Sequence, residues 1–555
     1  METGPFSESI RQKLNTPFSI VVTPGENQKI ECLEASFESL VRCRHCQAYI
    51  STFCERNEKS WKCSICGNTN QEAGQVICPQ HNQYQISLED RVDIPITAIY
   101  LSMDYHQNDL DIIKPSVIHY LRESQGQNLL FFIGCSEEKF SILCPHVSLY
   151  TLEDGQIKYS PPDNINLDQF NEKPCPIVQV NPDQQKSLVS FIFNSSQTNS
   201  IIHTIGRLSK SKTRIPFEQN LSICQFLHDF FPSSPVHFVS IIPLLSQIPD
   251  SFKQQYSSLL CFDILTPYYS EFVIEASEVI PGRVMLFNDK NLLSVLRYVF
   301  LEKPIYQCFM RARVSNCDSS WKTIPYPFSL DERGILFSPV LVNSKQPFVL
   351  DLHPKGVSTE LFVQVTAKMI KYDHQKGVFN PILIVFNQKI SVSSTITEIV
   401  ESINPKVLFW LWFTRTLDKS PRDVMAGLFR VSSSLVSVLN RDNKLYESLI
   451  RCCCCMKFYA FNSDNDINRF IGRSLLCFVS PHHLSVLPEK DEECNCYITM
   501  SGIYSDSPNE KTFKKAEEIG FFNGVFSPIP DWVKVNDPQS LEFFESLLPD
   551  YEEDE

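Results

Sequence analysis

At 555 residues the chain has room for roughly three to five domains with separate cores. Its 43% hydrophobic and 21% charged residues argue against wholesale disorder. A formal net charge of −14 argues against a dedicated nucleic-acid binder, which carries a basic stripe.

No apolar run approaches the ~18 residues needed to cross a bilayer; the strongest, Val407 to Phe413, stops at Thr414-Arg415. Met1 to Glu8 lacks the basic-then-apolar pattern of a signal peptide. The 21 cysteines are therefore expected to be mostly reduced, buried or metal-bound, as in the cytosol. There are only 17 glycines, and no Gly-rich phosphate loop, Gly-x-Ser-x-Gly elbow or His-Glu-x-x-His pair. No motif argues for an enzyme.

Taken in order, residues 1–40 contain the strand-like Phe18 to Thr23, ended by Pro24-Gly25. A strand placed there must find partners made much later, and a β-sandwich further on is the expected host. Residues 41–80 hold the most specific pattern, Cys43-Arg-His-Cys46 followed by Cys63-Ser-Ile-Cys66. Two Cys-x-x-Cys knuckles at this spacing supply four thiolates to one tetrahedral Zn²⁺ and leave no position for substrate. The expectation is one structural zinc, with the segments around Tyr49-Ile50-Ser51 and Ser60-Trp61-Lys62 forming a short hairpin. A disulfide pair is the bland alternative. Cys32, Cys54, Cys78, His45 and His81 lie nearby, outside either knuckle.

Residues 92–303 read as an α/β trunk. Ile96 to Ser102 and Asn128 to Gly134 are short apolar β-rich runs. Between them Leu110, Ile113, Val117, Ile118 and Leu121 share a helical face, which makes a βαβ unit. Val236 to Ile242, Leu259 to Leu265 and Arg283 to Phe287 add strands, and Asn291 to Phe300 a closing helix. A von Willebrand A-type domain is one way to build such a sheet. Its metal-binding Asp-x-Ser-x-Ser falls here on Asp104, His106 and Asn108, without either hydroxyl, so Asp104 is expected to cap the next turn.

Residues 305–395 turn to short alternating strands, expected to form an antiparallel sandwich. Residues 396–475 read as helical. Within them Cys452 to Cys455 cannot form one compact site, because consecutive helical residues point in different directions; core packing is the expectation and palmitoylation the competitor. Residues 476–548 are a small mixed region, and 549–555 an acidic tail.

This order resembles the inner-shell subunits of the COPII vesicle coat. The ribbon carries the most specific match, in Val41 to Ile50 and Ser60 to Asn70. The early ribbon, the stretch Met103 to Val117, and segments Leu445 to Cys452 and Arg473 to Pro481 are similar to the branch that activates the coat GTPase. The resemblance implies a multidomain α/β + β fold: zinc ribbon, von Willebrand A-like trunk, β-sandwich, helical domain and a reduced gelsolin-like C-terminal region. It implies a coat subunit in endoplasmic reticulum to Golgi transport, cytoplasmic and peripheral on that membrane and its vesicles. Its implied partners are a small coat-assembly GTPase, a sister inner-coat subunit, outer-coat proteins and an anionic membrane surface, with no nucleic acid. Arg311, Arg313, Lys368 and Lys371 are candidates for a membrane-facing basic surface.

The family's GTPase-activating branch inserts an arginine that stabilises charge on the transferred phosphoryl group. The nearest segment here, Phe526 to Trp532, places Asp531 at that position, where a carboxylate would repel. Lys534 is a displaced substitute without the planar fork. The expectation is therefore a non-enzymatic coat subunit whose GTPase-activating ability is in question. The competing readings are the cargo-adaptor branch of the same family and an unrelated zinc-ribbon protein.

Overall fold

The computed structural model describes residues between 3 and 416 apart from several connecting stretches, the longest being 160–201. The expectations for Cys78, Cys452 to Cys455, Asp531, Lys534, the gelsolin-like region and the acidic tail lie outside the described residues.

The first body is a six-stranded sheet in the spatial order Phe140–Leu143, Leu129–Gly134, Ile96–Ser102, Val236–Ile241, Leu260–Thr266, Val284–Leu286. All neighbours are parallel except the first pair. Every residue of the four strands 96–102, 129–134, 236–241 and 260–266 is buried. That explains why they read as continuous apolar runs: both faces of the sheet are covered. The helix Gln107–Glu123 buries Leu110, Ile113, Val117 and Leu121, the face expected from the sequence, together with Tyr120. The strand order reverses between 96–102 and 236–241, as in doubly wound sheets.

The second body is a β-sandwich. Its large sheet runs Ser329–Leu330, Ile335–Leu341, Ile305–Val314, Glu360–Asp373, Val378–Ser393, Gln83–Ser87, Glu31–Cys32, with Thr3–Pro5 parallel to the far end of Val378–Ser393. A three-stranded sheet, Cys317–Lys322, Phe348–Pro354 and Ser19–Val22, pairs antiparallel throughout. Between the sheets lies one apolar core that includes Phe18, Cys308, Met310, Trp321, Leu350, Leu352, Val363 and Ile384. Strand alternation sends Cys308, Met310 and Ala312 toward this core and Phe309, Arg311 and Arg313 to the other face.

Two further helices, Ile396–Glu401 and Pro405–Thr416, follow the sandwich. The second is tied back by Arg415, whose guanidinium donates to the Asp351 carboxylate at 2.5 Å and to Ser19 Oγ at 3.1 Å. No described helix is long and apolar enough to cross a membrane.

The Asp104 expectation needs correction. His106 stands at the head of the helix, its carbonyl accepting the N–H groups of Asp109 and Leu110. The Asp104 carboxylate instead accepts the Ile215 N–H, at 3.0 Å and 111 residues away. A side chain at a strand end can serve a distant loop as readily as the next turn.

Candidate metal centre and its seat

Each cysteine knuckle is a tight backbone turn. In the first, Cys43 N–H donates to the Ala48 carbonyl at 2.8 Å and Gln47 N–H to the Cys43 carbonyl at 2.9 Å. The second repeats this, with Cys63 N–H on the Asn68 carbonyl and Gly67 N–H on the Cys63 carbonyl, both 2.9 Å. The residue after each second cysteine takes a left-handed conformation, Gln47 at φ 61° and Gly67 at φ 73°. The strands Glu55–Arg56, Ser60–Lys62 and Thr69–Gln71 form the hairpin sheet that brings the knuckles together. Tyr49 and Ile50 do not join that sheet; Tyr49 packs against the sandwich, and the Ile50 side chain enters the ribbon's own core with Cys43, Ala48, Trp61 and Cys63.

The four sulfurs lie within 4.8 Å of one another, with Cys43–Cys66 at 3.5 Å and Cys46–Cys63 at 3.6 Å. A tetrahedral Zn²⁺ with Zn–S near 2.3 Å needs sulfurs ~3.8 Å apart, so the set fits the ion with a slight expansion. All four cysteines are free of disulfides. Among the described residues, His45, Cys32, Cys54 and His81 stay outside the cluster. The site holds one structural zinc.

Among the four ligands, the surroundings favour the thiolate at Cys43 and oppose it at Cys63 and Cys66. Burial opposes ionisation of Cys43, but the backbone N–H groups of Cys46 and His45, then the Asn70 amide, outweigh it and bring the thiol down to about 6. A hydrogen bond to Cys46, then burial, pushes Cys63 far up, and burial raises Cys66. Bound zinc would override this spread and deprotonate the whole set. Asn70 is buried; its Nδ2 donates to Cys43 Sγ at 3.5 Å while its Oδ1 accepts the Arg44 N–H at 2.9 Å. One amide thus joins the hairpin to the first knuckle.

The ribbon is seated on the outer face of the large sandwich sheet. Gln364 is buried there and does two jobs: its Oε1 accepts Tyr49 N–H at 2.7 Å and its Nε2 donates to the Tyr49 carbonyl at 2.9 Å. The same Nε2 reaches Asn387 Oδ1 at 2.7 Å, and Asn387 Nδ2 reaches the Asn82 carbonyl at 3.1 Å. Tyr84 Oη donates to the Ile50 carbonyl at 3.1 Å, and the Phe53 and Phe362 rings pack at 5.6 Å. Leu40, Tyr49, Tyr84, Ile86, Leu88, Leu383 and Val385 form the apolar seam beneath.

Residues 40–73 match the family described as the Sec23/Sec24 zinc finger. The described fold also resembles that of the human COPII-coat protein Sec24c, with a TM-score of 0.60 over 86% of this chain and 74% of that one, at 12% identity. Residues 40–73 therefore form a zinc finger of the Sec23/Sec24 type. Two curated relatives share short segments with the chain. Protein transport protein SEC23 D of Arabidopsis thaliana is 29% identical over 86 residues, covering 15% of this chain and 12% of that protein. Protein transport protein SEC24-1 of Naumovozyma castellii is 33% identical over 72 residues, covering 12% and 8%. Both branches of the family are represented, so the likeness does not single out the GTPase-activating one.

Of the four candidate basic residues, Lys368 is exposed, and Arg311 and Lys371 are half-buried. Arg313 is turned toward the ribbon, its Nε donating to the Cys46 carbonyl at 3.0 Å. Beside Arg311 stands Phe309, 41% exposed and packed against Phe337 with ring centroids 4.5 Å apart and planes tilted by 34°.

A second converging group, His237, Cys261 and Asp263, lies in the trunk sheet and was not singled out from the sequence. It is not a metal site. Asp263 accepts Arg283 Nη2 at 2.6 Å and Arg283 N–H at 2.7 Å, and shares 2.9 Å with His237 Nε2. The guanidinium already occupies the place a cation would take. Cys261 is opposite His237 in register, which puts Asp263 on the same face one step along.

Proposed function

We propose that this protein is an inner-shell coat subunit of the COPII type, working by docking partners and not as a catalyst. The supporting observation is the combination of a Sec23/Sec24 zinc finger with a fold like Sec24c over 86% of the chain. The ribbon and sandwich make one continuous face. Arg311 and Lys368, which alternation turns away from the sandwich core, give that face positive charge suited to anionic lipid on the endoplasmic reticulum side, whereas Lys371 has the parity of the core-facing residues. The partners are a small coat-assembly GTPase, a sister inner-coat subunit and, through them, outer-coat proteins. Asp531 takes the position of the activating arginine, so the protein binds the GTPase without strongly accelerating hydrolysis.

Turnover and recruitment on liposomes test this reading together. With anionic lipid and the GTP-loaded GTPase, the protein is expected to co-float while hydrolysis changes less than ~10-fold, against the 10³–10⁵ that an arginine finger supplies. A large stimulation overturns the Asp531 assignment. Absence of GTPase-dependent recruitment, with capture of short cargo-tail peptides, turns the reading to the cargo-adaptor branch.

A further inference from the structure

We infer that Arg313 is the outer-sphere cation of the zinc centre, so that the ribbon holds its metal fully only while seated on the sandwich sheet. Four thiolates on Zn²⁺ carry a net charge of −2, and a half-buried site needs that charge answered locally. Asn70 and the knuckle N–H groups offer dipoles, not charge. Arg44 and His45 point into solvent as exposed residues. Arg42 lies over the Tyr49 ring, 4.8 Å from its centroid. Among the described residues, Arg313 is the cation that reaches a ligand residue itself, through the Cys46 carbonyl, from 267 positions away in the chain.

Its geometry is that of a group held for a purpose beyond one hydrogen bond. Arg313 stands opposite Gln364 in the paired strands 305–314 and 360–373, and Gln364 grips Tyr49, three residues past Cys46. The sheet therefore holds the first knuckle at two adjacent points, one neutral and one charged. Arg313 Nη1 is buried and meets no acceptor among the described residues, so this donor is not spent on a competing ion pair. A guanidinium suits the role better than an ammonium, since its fork donates from a fixed plane while remaining charged. Arg313 is a positioning residue: it acts on zinc through Cys46.

The test uses the full chain, first assayed for bound zinc, and compares wild type with Arg313→Met, Arg313→Lys, Gln364→Ala and Arg311→Met. Zinc release at neutral pH is followed by its capture in an excess of a colorimetric chelator. The thiolate-to-cobalt absorption of the Co²⁺-loaded chain is recorded alongside. Arg313→Met is expected to lose zinc ~10–100-fold faster and to shift the cobalt band. Gln364→Ala should also release faster although Arg313 is intact, Arg313→Lys should fall between, and Arg311→Met should match wild type. A wild-type chain without zinc overturns both the metal assignment and this inference. Release at the wild-type rate from Arg313→Met with an unchanged cobalt spectrum overturns the inference alone. If the methionine variant does not fold, the neutral Arg313→Gln takes its place, and release from it at the wild-type rate overturns the inference equally.

Discussion

Asp263 illustrates how one side chain can decide the fate of a sheet. It is wholly buried, and burial alone would raise its pKa above the ordinary 3.8. The Arg283 charge, then the His237 hydrogen bond, outweigh burial and hold the carboxyl well below that value. A carboxyl depressed by folding stabilises the native state fully above its unfolded pKa, and the gain fades as pH falls through the lower folded one. The wild-type urea midpoint should therefore carry an acid limb beginning below about pH 4. In Asp263→Asn that limb shrinks. At neutral pH the same variant leaves Arg283 uncompensated and should lose ~3–5 kcal/mol, read from urea unfolding. An equal pH profile in the two proteins would refute the assignment.

At the scale of elements, the two knuckles are near-copies that meet one steric demand with different residues. Gly67 adopts its left-handed conformation freely, whereas Gln47 does so against its Cβ. Nothing lies within 4 Å of a Cβ added at Gly67, so Gly67→Ala should cost only backbone strain, ~1–2 kcal/mol, measured as a fall in the thermal midpoint. Gly282 is different. A Cβ there would overlap the Phe262 carbonyl and crowd the Asp263 carboxylate, so Gly282→Ala should cost at least ~1–3 kcal/mol and disturb the Arg283 anchor. Thermal and urea midpoints followed by circular dichroism would separate the two glycines.

Elements of this kind were unequally legible in the sequence. The cysteine spacing announces four ligands because metal geometry dictates it, and the apolar runs announce buried strands because both sheet faces are covered. The seat of the ribbon was hidden. Gln364 sits in the ordinary alternation of Leu361 to Thr366, and nothing local distinguishes a buried outward-facing glutamine from a solvated one. Asn70 likewise reads as a turn residue after Cys66-Gly67, although its amide reaches back to Cys43. His237 and Asp263 lie on two strands and Arg283 immediately before a third, and only the lateral order of those strands brings the set together.

For the whole molecule, the sandwich is assembled from remote pieces. Ser19–Val22 covers one edge of Phe348–Pro354, and Thr3–Pro5 pairs with the end of Val378–Ser393. Removing residues 3–22 would bare the backbone of both partners, open the Phe18 corner of the core and leave Asp351 without its Ser19 contact. Uncovered strand edges recruit other chains. The shortened protein is expected to form soluble aggregates, visible by light scattering on size-exclusion chromatography, where the intact chain elutes as a discrete species.

The same pairing sets a schedule on the ribosome. Strand 19–22 is among the first segments synthesised, yet its partner ends at Pro354 and the partner of Thr3–Pro5 at Ser393. At ~5–20 residues per second, the opening strands wait roughly 20–75 s for a template. During that interval the ribbon and trunk can form, while Phe18 and Val22 remain an apolar lure for chaperones. Newborn chains paused between residues 100 and 340 should therefore present the beginning of the protein, and not its growing end, to those helpers.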